Sequence, residues 1–160
     1  MDLKEILSIS GKPGLYKLVK HTNNGVIVES LEDKKRFPAF AHQKISSLEE
    51  ISIFTDTEDL PLKDVFKAMY EKHEGEQSIS PKSSSNELKA YFAEIVPEYD
   101  EERVYVSHIK KIIQWYNLLQ KNDMLEFEEE SEESGEQEEQ STGDSQESSE
   151  QKTGEEEKQQ

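Results

Sequence analysis

Residues 20–37, "KHTNNGVIVESLEDKKRF", decide the fold class, because they carry the punctuation of a β-hairpin that runs on into a third strand. The Asn-Asn-Gly turn separates an apolar run at 15–21 from residues 26–31, whose β-branched side chains suit a pleated surface. Asn24 and Gly25 are expected to supply the positive φ angles of a type I′ turn. A polar turn at 32–35 then leads into residues 36–41, where Pro38 cannot donate to a ladder and belongs on an edge or at a bulge.

The flanking sequence extends this sheet on both sides. "ISIFT", residues 51–55, alternates as a further strand, and before it Ser46 stands three residues ahead of Glu49, the spacing of a capping box on one helical turn. Upstream, Leu3, Ile6 and Leu7 have helical spacing and are followed by Gly11 and Pro13, so residues 2–8 are expected to form a short helix. So few strands in so short a stretch avoid exposed edges by curling, which predicts a small SH3-like or Sm-like curled antiparallel sheet with flanking helices.

The pattern changes after Pro61. Leu62, Val65, Phe66, Met69 and Tyr70 recur at the period of an amphipathic helix that ends near His73 and Gly75. Leu88, Tyr91, Phe92, Ile95 and Val96 repeat that spacing behind a capping box of Ser84 and Glu87, and Pro97 ends the run. A third helix, expected to be capped by Ser107, carries Ile109, Ile112, Ile113, Tyr116 and Leu119. The fold class is therefore α+β. The expected divisions are a sheet domain at 1–73, a polar linker at 74–83, a helical hairpin at 84–127 and a tail at 128–160.

Charge separates the tail from the rest. The whole chain has 36 acidic and 19 basic residues, a net of −17. Residues 128–160 hold 14 of those acids, two lysines and no apolar or aromatic residue, so they are expected to form a disordered acidic tail. The body keeps 22 acids against 17 bases, a net of −5. Such a chain is a poor nonspecific ligand for nucleic acid or an anionic membrane, and its expected partners are proteins, basic ones included. The absence of cysteine excludes disulfides and thiolate chemistry, and the start "MDLKEILSIS" lacks a leader pattern, so a soluble cytoplasmic protein is expected.

Nothing in the chain spells out a reaction. His21, His42, His73 and His108 show no zinc-ligand spacing, so no metal or small-molecule cofactor is expected. The acids of "DTEDLPLKD", residues 56–64, lack the glycine and terminal glutamate of a calcium loop and suit the start of a helix better. "SGKPG" precedes a strand, whereas phosphate loops follow one, so Gly11 and Gly14 read as turn residues. With no serine elbow either, the expectation is a protein that is not an enzyme. Cations and aromatics are densest at Tyr16, Lys17, Lys34, Lys35, Arg36, Phe37 and Phe40, near strand ends and turns where small sheets make contacts. Trp115, beside Lys110, Lys111 and Tyr116, is a second candidate for stacking, weighed against a buried helix face.

The stretches "LKEILSISGKPGLYKLV" and "AYFAEIVPEYDEERVYVSHIKKIIQWYNLL" resemble an uncharacterised bacterial family of short two-part proteins, domains of unknown function that bring no activity with them. More loosely, "GVIVES" followed by "FAHQKISSLEEISIF" is similar in layout to Sm-like RNA-binding barrels. In that resemblance "AHQKISS" would contribute to an RNA pocket through His42 and Lys44. The expected function is a noncatalytic protein-binding or adaptor module, with an Sm-like RNA-binding regulator as the alternative.

Overall fold

The computed structural model describes residues 2–127, and the acidic tail expected at 128–160 lies outside the described residues. The chain opens with a strand, β1 (Ile6–Ile9), in place of the expected helix. Leu3, Ile6 and Leu7 fit a helical period, but a short apolar run reads equally as a strand buried on both faces. Here Ile6 joins one hydrophobic cluster while Leu7 and Ile9 join another on the opposite face, which a helix of that length could not arrange. β2 (Tyr16–Thr22) and β3 (Gly25–Ser30) form the expected hairpin, with Thr22 opposite Gly25 across Asn23-Asn24. The turn is not type I′: Asn24 keeps a negative φ, and Gly25 already belongs to β3.

β4 (Arg36–Phe40) and β5 (Ile45–Ser47) complete an antiparallel sheet of order β4-β3-β2-β1-β5. Each of the five strands places a residue in one cluster: Ile9, Leu18, Val28, Ala39 and Ile45 lie in it beside Tyr16 and Phe37. No helix contributes, so the sheet curls over its own side chains, and Val28 reaches full burial that way. A register shift between Leu18 and Lys20 marks a β-bulge in β2, a feature that bends a strand. The sheet is nevertheless open. The expected SH3-like or Sm-like barrel would need β4 and β5 to meet, and both remain edges.

The physical reason lies in the residues after β5. Ser47, not Ser46, accepts a hydrogen bond from the Glu49 N–H and starts a 3-10 turn at Leu48–Glu50. The strand expected at 51–55 leaves the sheet: β6 (Ser52–Ile53) pairs with β7 (Leu60–Pro61) as a separate two-stranded ribbon. No strand is left to close the curl. Pro61 then precedes α1 (Leu62–Lys72), Ser84 and Glu87 form their capping box on α2 (Ser85–Ile95), and α3 (Val106–Lys121) follows. Ser107 sits inside α3, and the start of that helix is held by the Tyr105 N–H donating to Nδ1 of His108 at 3.2 Å.

The larger core joins the two halves of the chain. Leu3, Ile6, Leu15, Leu31 and Leu48 pack in one cluster with Phe66, Met69, Phe92, Ile113 and Tyr116 from all three helices. The segment at 74–83 is polar as expected but is strapped to α3 by hydrogen bonds. Asn117 Oδ1 accepts from both the N–H and the Oγ of Ser78 at 2.8 and 2.9 Å, and its Nδ2 donates to the Ile79 carbonyl. The Tyr116 hydroxyl donates to the Glu76 carbonyl at 2.9 Å, and Gln120 donates to that of Gly75. Tyr116, Asn117 and Gln120 lie on adjacent positions of the α3 surface, so one helix face holds the whole strap.

Candidate binding surface

The cationic and aromatic residues singled out from the sequence do not form one surface. Tyr16 is buried, its hydroxyl donating to the Pro13 carbonyl at 2.8 Å and its ring edge-on to Phe37 at 5.3 Å. Phe37 packs in the same cluster, with the Lys12 ammonium 4.1 Å from its ring centre. Lys17, Glu29 and Arg36 line up across three strands, and the Glu29 carboxylate receives Arg36 Nε at 2.9 Å. That hydrogen bond is the main reason the Glu29 carboxyl is held below the usual carboxylate range. Lys35 lies 3.9 Å from Asp33, and the Lys34 ammonium donates to the Asn122 side-chain oxygen.

Phe40 and His42 stand at the far end of β4. Their rings stack at 5.8 Å, nearly parallel, in the exposed turn that also carries Lys44. The surface drawn from Lys34 to Lys44 is thus two small patches separated by the length of a strand. β4 itself is guarded. Pro38 has no N–H to offer outward, and Gln43 serves Phe40 twice, its Oε1 accepting from the Phe40 N–H at 2.9 Å and its own N–H donating to the Phe40 carbonyl. Along this strand only Arg36 keeps an outward N–H, so strand addition at β4 is disfavoured.

Trp115 lies where the sequence offered two readings. It is 9% exposed and belongs to the main core, as a buried helix face requires, yet it also forms the wall between two surface cavities. The first, about 230 Å³, is a groove between α3 and the β6 region, lined by Ile51, Ile53, Phe54, Val104 and Ile112 with His108 and Lys111 at its polar side. Phe54 is 41% exposed, and the Arg103 guanidinium covers one face of its ring at 4.4 Å while pairing with Asp100 at 2.7 Å. The second cavity, about 330 Å³, lies between Lys111, Gln114 and Trp115 of α3 and the β1–β2 turn, residues 8–14. Lys111 borders both. As binding residues the sequence points only to Trp115 and its lysine neighbour among these; His108 reads there as a non-ligand histidine and Gly11 and Gly14 as turn residues. Phe54 was missed because "ISIFT" alternates so well that its phenylalanine passed as a strand residue.

Two family models cover this body. Residues 3–48 match a domain of unknown function, DUF5606, and residues 51–119 match a second, DUF6852. A solution NMR structure of a Bacteroides vulgatus protein, solved by the Northeast Structural Genomics Consortium, is 49% identical. The match covers 79% of this chain and 91% of that one, with a TM-score of 0.66.

The chain belongs to this family of paired DUF5606 and DUF6852 domains.

No curated protein matches the chain. The junction of the DUF5606 and DUF6852 models falls at the 3-10 turn, and the second cavity is built from both, its turn from DUF5606 and its helix from DUF6852. DUF6852 also carries a part-buried polar pair at the C-terminal end of α1. There His73 Nε2 and the Tyr91 hydroxyl stand 2.6 Å apart. Burial, and secondarily Lys72, pushes the His73 imidazole below its ordinary pKa, and burial pushes the Tyr91 phenol up, so the two meet as neutral groups near pH 7. Among the described residues no group of three His, Asp or Glu side chains is placed to hold a metal ion, and no helix is long and apolar enough to cross a membrane.

Proposed function

We propose that this protein is a noncatalytic binding or adaptor module of the cytoplasm that engages a segment of a protein partner in the groove beside Trp115. The supporting observation is the groove's apolar lining with Phe54 left 41% exposed in a protein whose other large side chains are mostly satisfied in two cores. The guarded β4 edge favours side-chain docking over strand addition. The test is affinity capture of the full chain from its own cytosol after ribonuclease treatment, beside a Phe54→Ser variant. A stoichiometric protein retained by the natural chain and lost by the variant supports the groove. Equal retention by both would place the partner elsewhere.

A second reading, RNA binding, draws on the stacked Phe40–His42 pair with Lys44 beside it, since sequence-tolerant stacking is how single strands are held. Its mark would be ribonuclease-sensitive capture that weakens with salt and is lost in Phe40→Ser.

A further inference from the structure

The two cavities that share Trp115 and Lys111 differ in chemistry in a way that constrains the occupant. The groove on one side offers Ile51, Ile53, Phe54, Val104 and Ile112. The cavity on the other side is lined by the polar residues Ser8, Ser10, Gln114 and Lys111, together with Lys12, whose ammonium is held over the Phe37 ring. Neither is lined by a single Asp or Glu, although the body carries 22 acids against 17 bases. Among the described residues Lys111 forms no ion pair, as is true of most lysines apart from Lys4, Lys35 and Lys72. A hollow bearing Lys111 thus lies next to an apolar groove, with the Glu32 carboxylate packed against Gly14 in the turn that closes it.

We infer that this double site takes a peptide segment in which a carboxylate adjoins a bulky apolar side chain. The carboxylate accepts hydrogen bonds from Lys111 and the Ser8–Ser10 hydroxyls, and the apolar side chain lies against Phe54 and Ile51 on the other side of Trp115. The inference rests on the reading of the groove as the partner-binding surface and adds the chemistry of the segment. Charge complementarity argues for the carboxylate: the lining of this hollow carries Lys111 and no Asp or Glu of its own. The turn argues against a phosphorylated nucleotide. Its Ser10 and Lys12 N–H groups are spent inward on the Lys44 and Ile9 carbonyls instead of forming a cradle, and Trp115, 9% exposed, shows too little of its face to stack a base.

The only tryptophan of the chain is the shared wall, so its fluorescence reports occupancy directly. The full-length protein is titrated with an acetylated and amidated Gly-Phe-Asp-Phe-Asp-Gly peptide, with the same peptide bearing Asn for Asp, and with adenosine monophosphate. Expected is a saturable change with the Asp peptide that weakens roughly three- to fivefold in Lys111→Met, the worth of one partly screened charge pair. The Asn peptide should weaken by a similar factor, and raised salt should weaken only the Asp peptide. Both substituted side chains border solvent, and thermal unfolding of each variant confirms that it remains folded. Equal binding of the Asn peptide, indifference to Lys111→Met, or saturation by the monophosphate without any by the peptide would overturn the inference. If Phe54→Ser loses the natural partner while the Asp peptide fails to bind, the groove reading stands and this one falls. If neither responds, both fall.

Discussion

At single positions the fold rests on close approaches and on protons that burial holds in place. Gly25 is the sharpest case: a Cβ there would stand 2.1 Å from the Ala39 carbonyl oxygen and 2.9 Å from the Phe40 Cα, both backbone atoms that cannot swing aside. Gly25→Ala should therefore cost about 3 kcal/mol, read as a lower midpoint in urea with little change in slope. The phenols of Tyr16, Tyr91, Tyr99 and Tyr116 are all raised, mainly by burial, Tyr116 to about 12. An unfolded phenol ionises near pH 10, so between pH 10 and 12 the unfolded state sheds a proton that folded Tyr116 keeps. Their contribution is intact below pH 10 and declines above it. The phenolate absorbance of these four of the chain's six tyrosines should rise late and together with loss of far-ultraviolet dichroism, and more than a third of the full rise occurring near pH 10 in a still folded chain would contradict this. His73 acts at the other end of the scale. Its depressed pKa means the unfolded state binds a proton first as pH falls below about 6.5, so folding stability declines on that side because burial, and secondarily Lys72, disfavours the charged ring in the folded state.

For helices and strands, legibility depended on how local the deciding interaction was. The capping box of Ser84 and Glu87 was readable because four consecutive residues complete it, and Ser84→Ala should cost about 1 kcal/mol in thermal or urea unfolding. β1 was misread because three apolar residues fit two periods, and only its neighbours β2 and β5 choose between them. The strap at 74–83 looked like a linker because its partners stand some 40 residues away, on Asn117 and its neighbours. Asn117→Ala removes both the acceptor for Ser78 and the donor to Ile79. It should destabilise by roughly 1–3 kcal/mol and speed amide exchange at Ser78 more than in β1. At the sheet edge, Pro38→Thr restores an outward N–H in the middle of β4. Concentration-dependent association in sedimentation should follow, while a variant that stays as monodisperse as the natural chain would show that Gln43 alone guards the edge.

Across the whole molecule, one core spans both family domains, so they should unfold together. Leu3, Ile6, Leu31 and Leu48 lie against helices of the second domain, and a chain ending at residue 48 would expose them. That fragment is expected to be unfolded or aggregated by circular dichroism, whereas residues 1–127 should melt in one transition, with Trp115 fluorescence and helical dichroism coincident. The candidate site shares this dependence. Trp115 and Lys111 could be named from their helix, but the exposed Phe54 and the glycine turn they face arrive from segments about 60 and about 100 positions distant in the chain.

The order of residues was enough to place a hairpin around the Asn-Asn-Gly turn, three amphipathic helices, the α+β class and the boundary where apolar residues cease, because each depends on periodicity or composition within a few turns of chain. Whether the sheet closed, which strand β1 would join, what the strap was tied to and where Phe54 would point depended on which distant surfaces could bury one another. Residues 51–55 are the clearest instance. Their alternation suits a fourth strand of the expected barrel and a two-residue ribbon alike, and it was the pairing of Ile53 with Leu60, ahead of α1, that drew them off the sheet and left a groove beside Trp115.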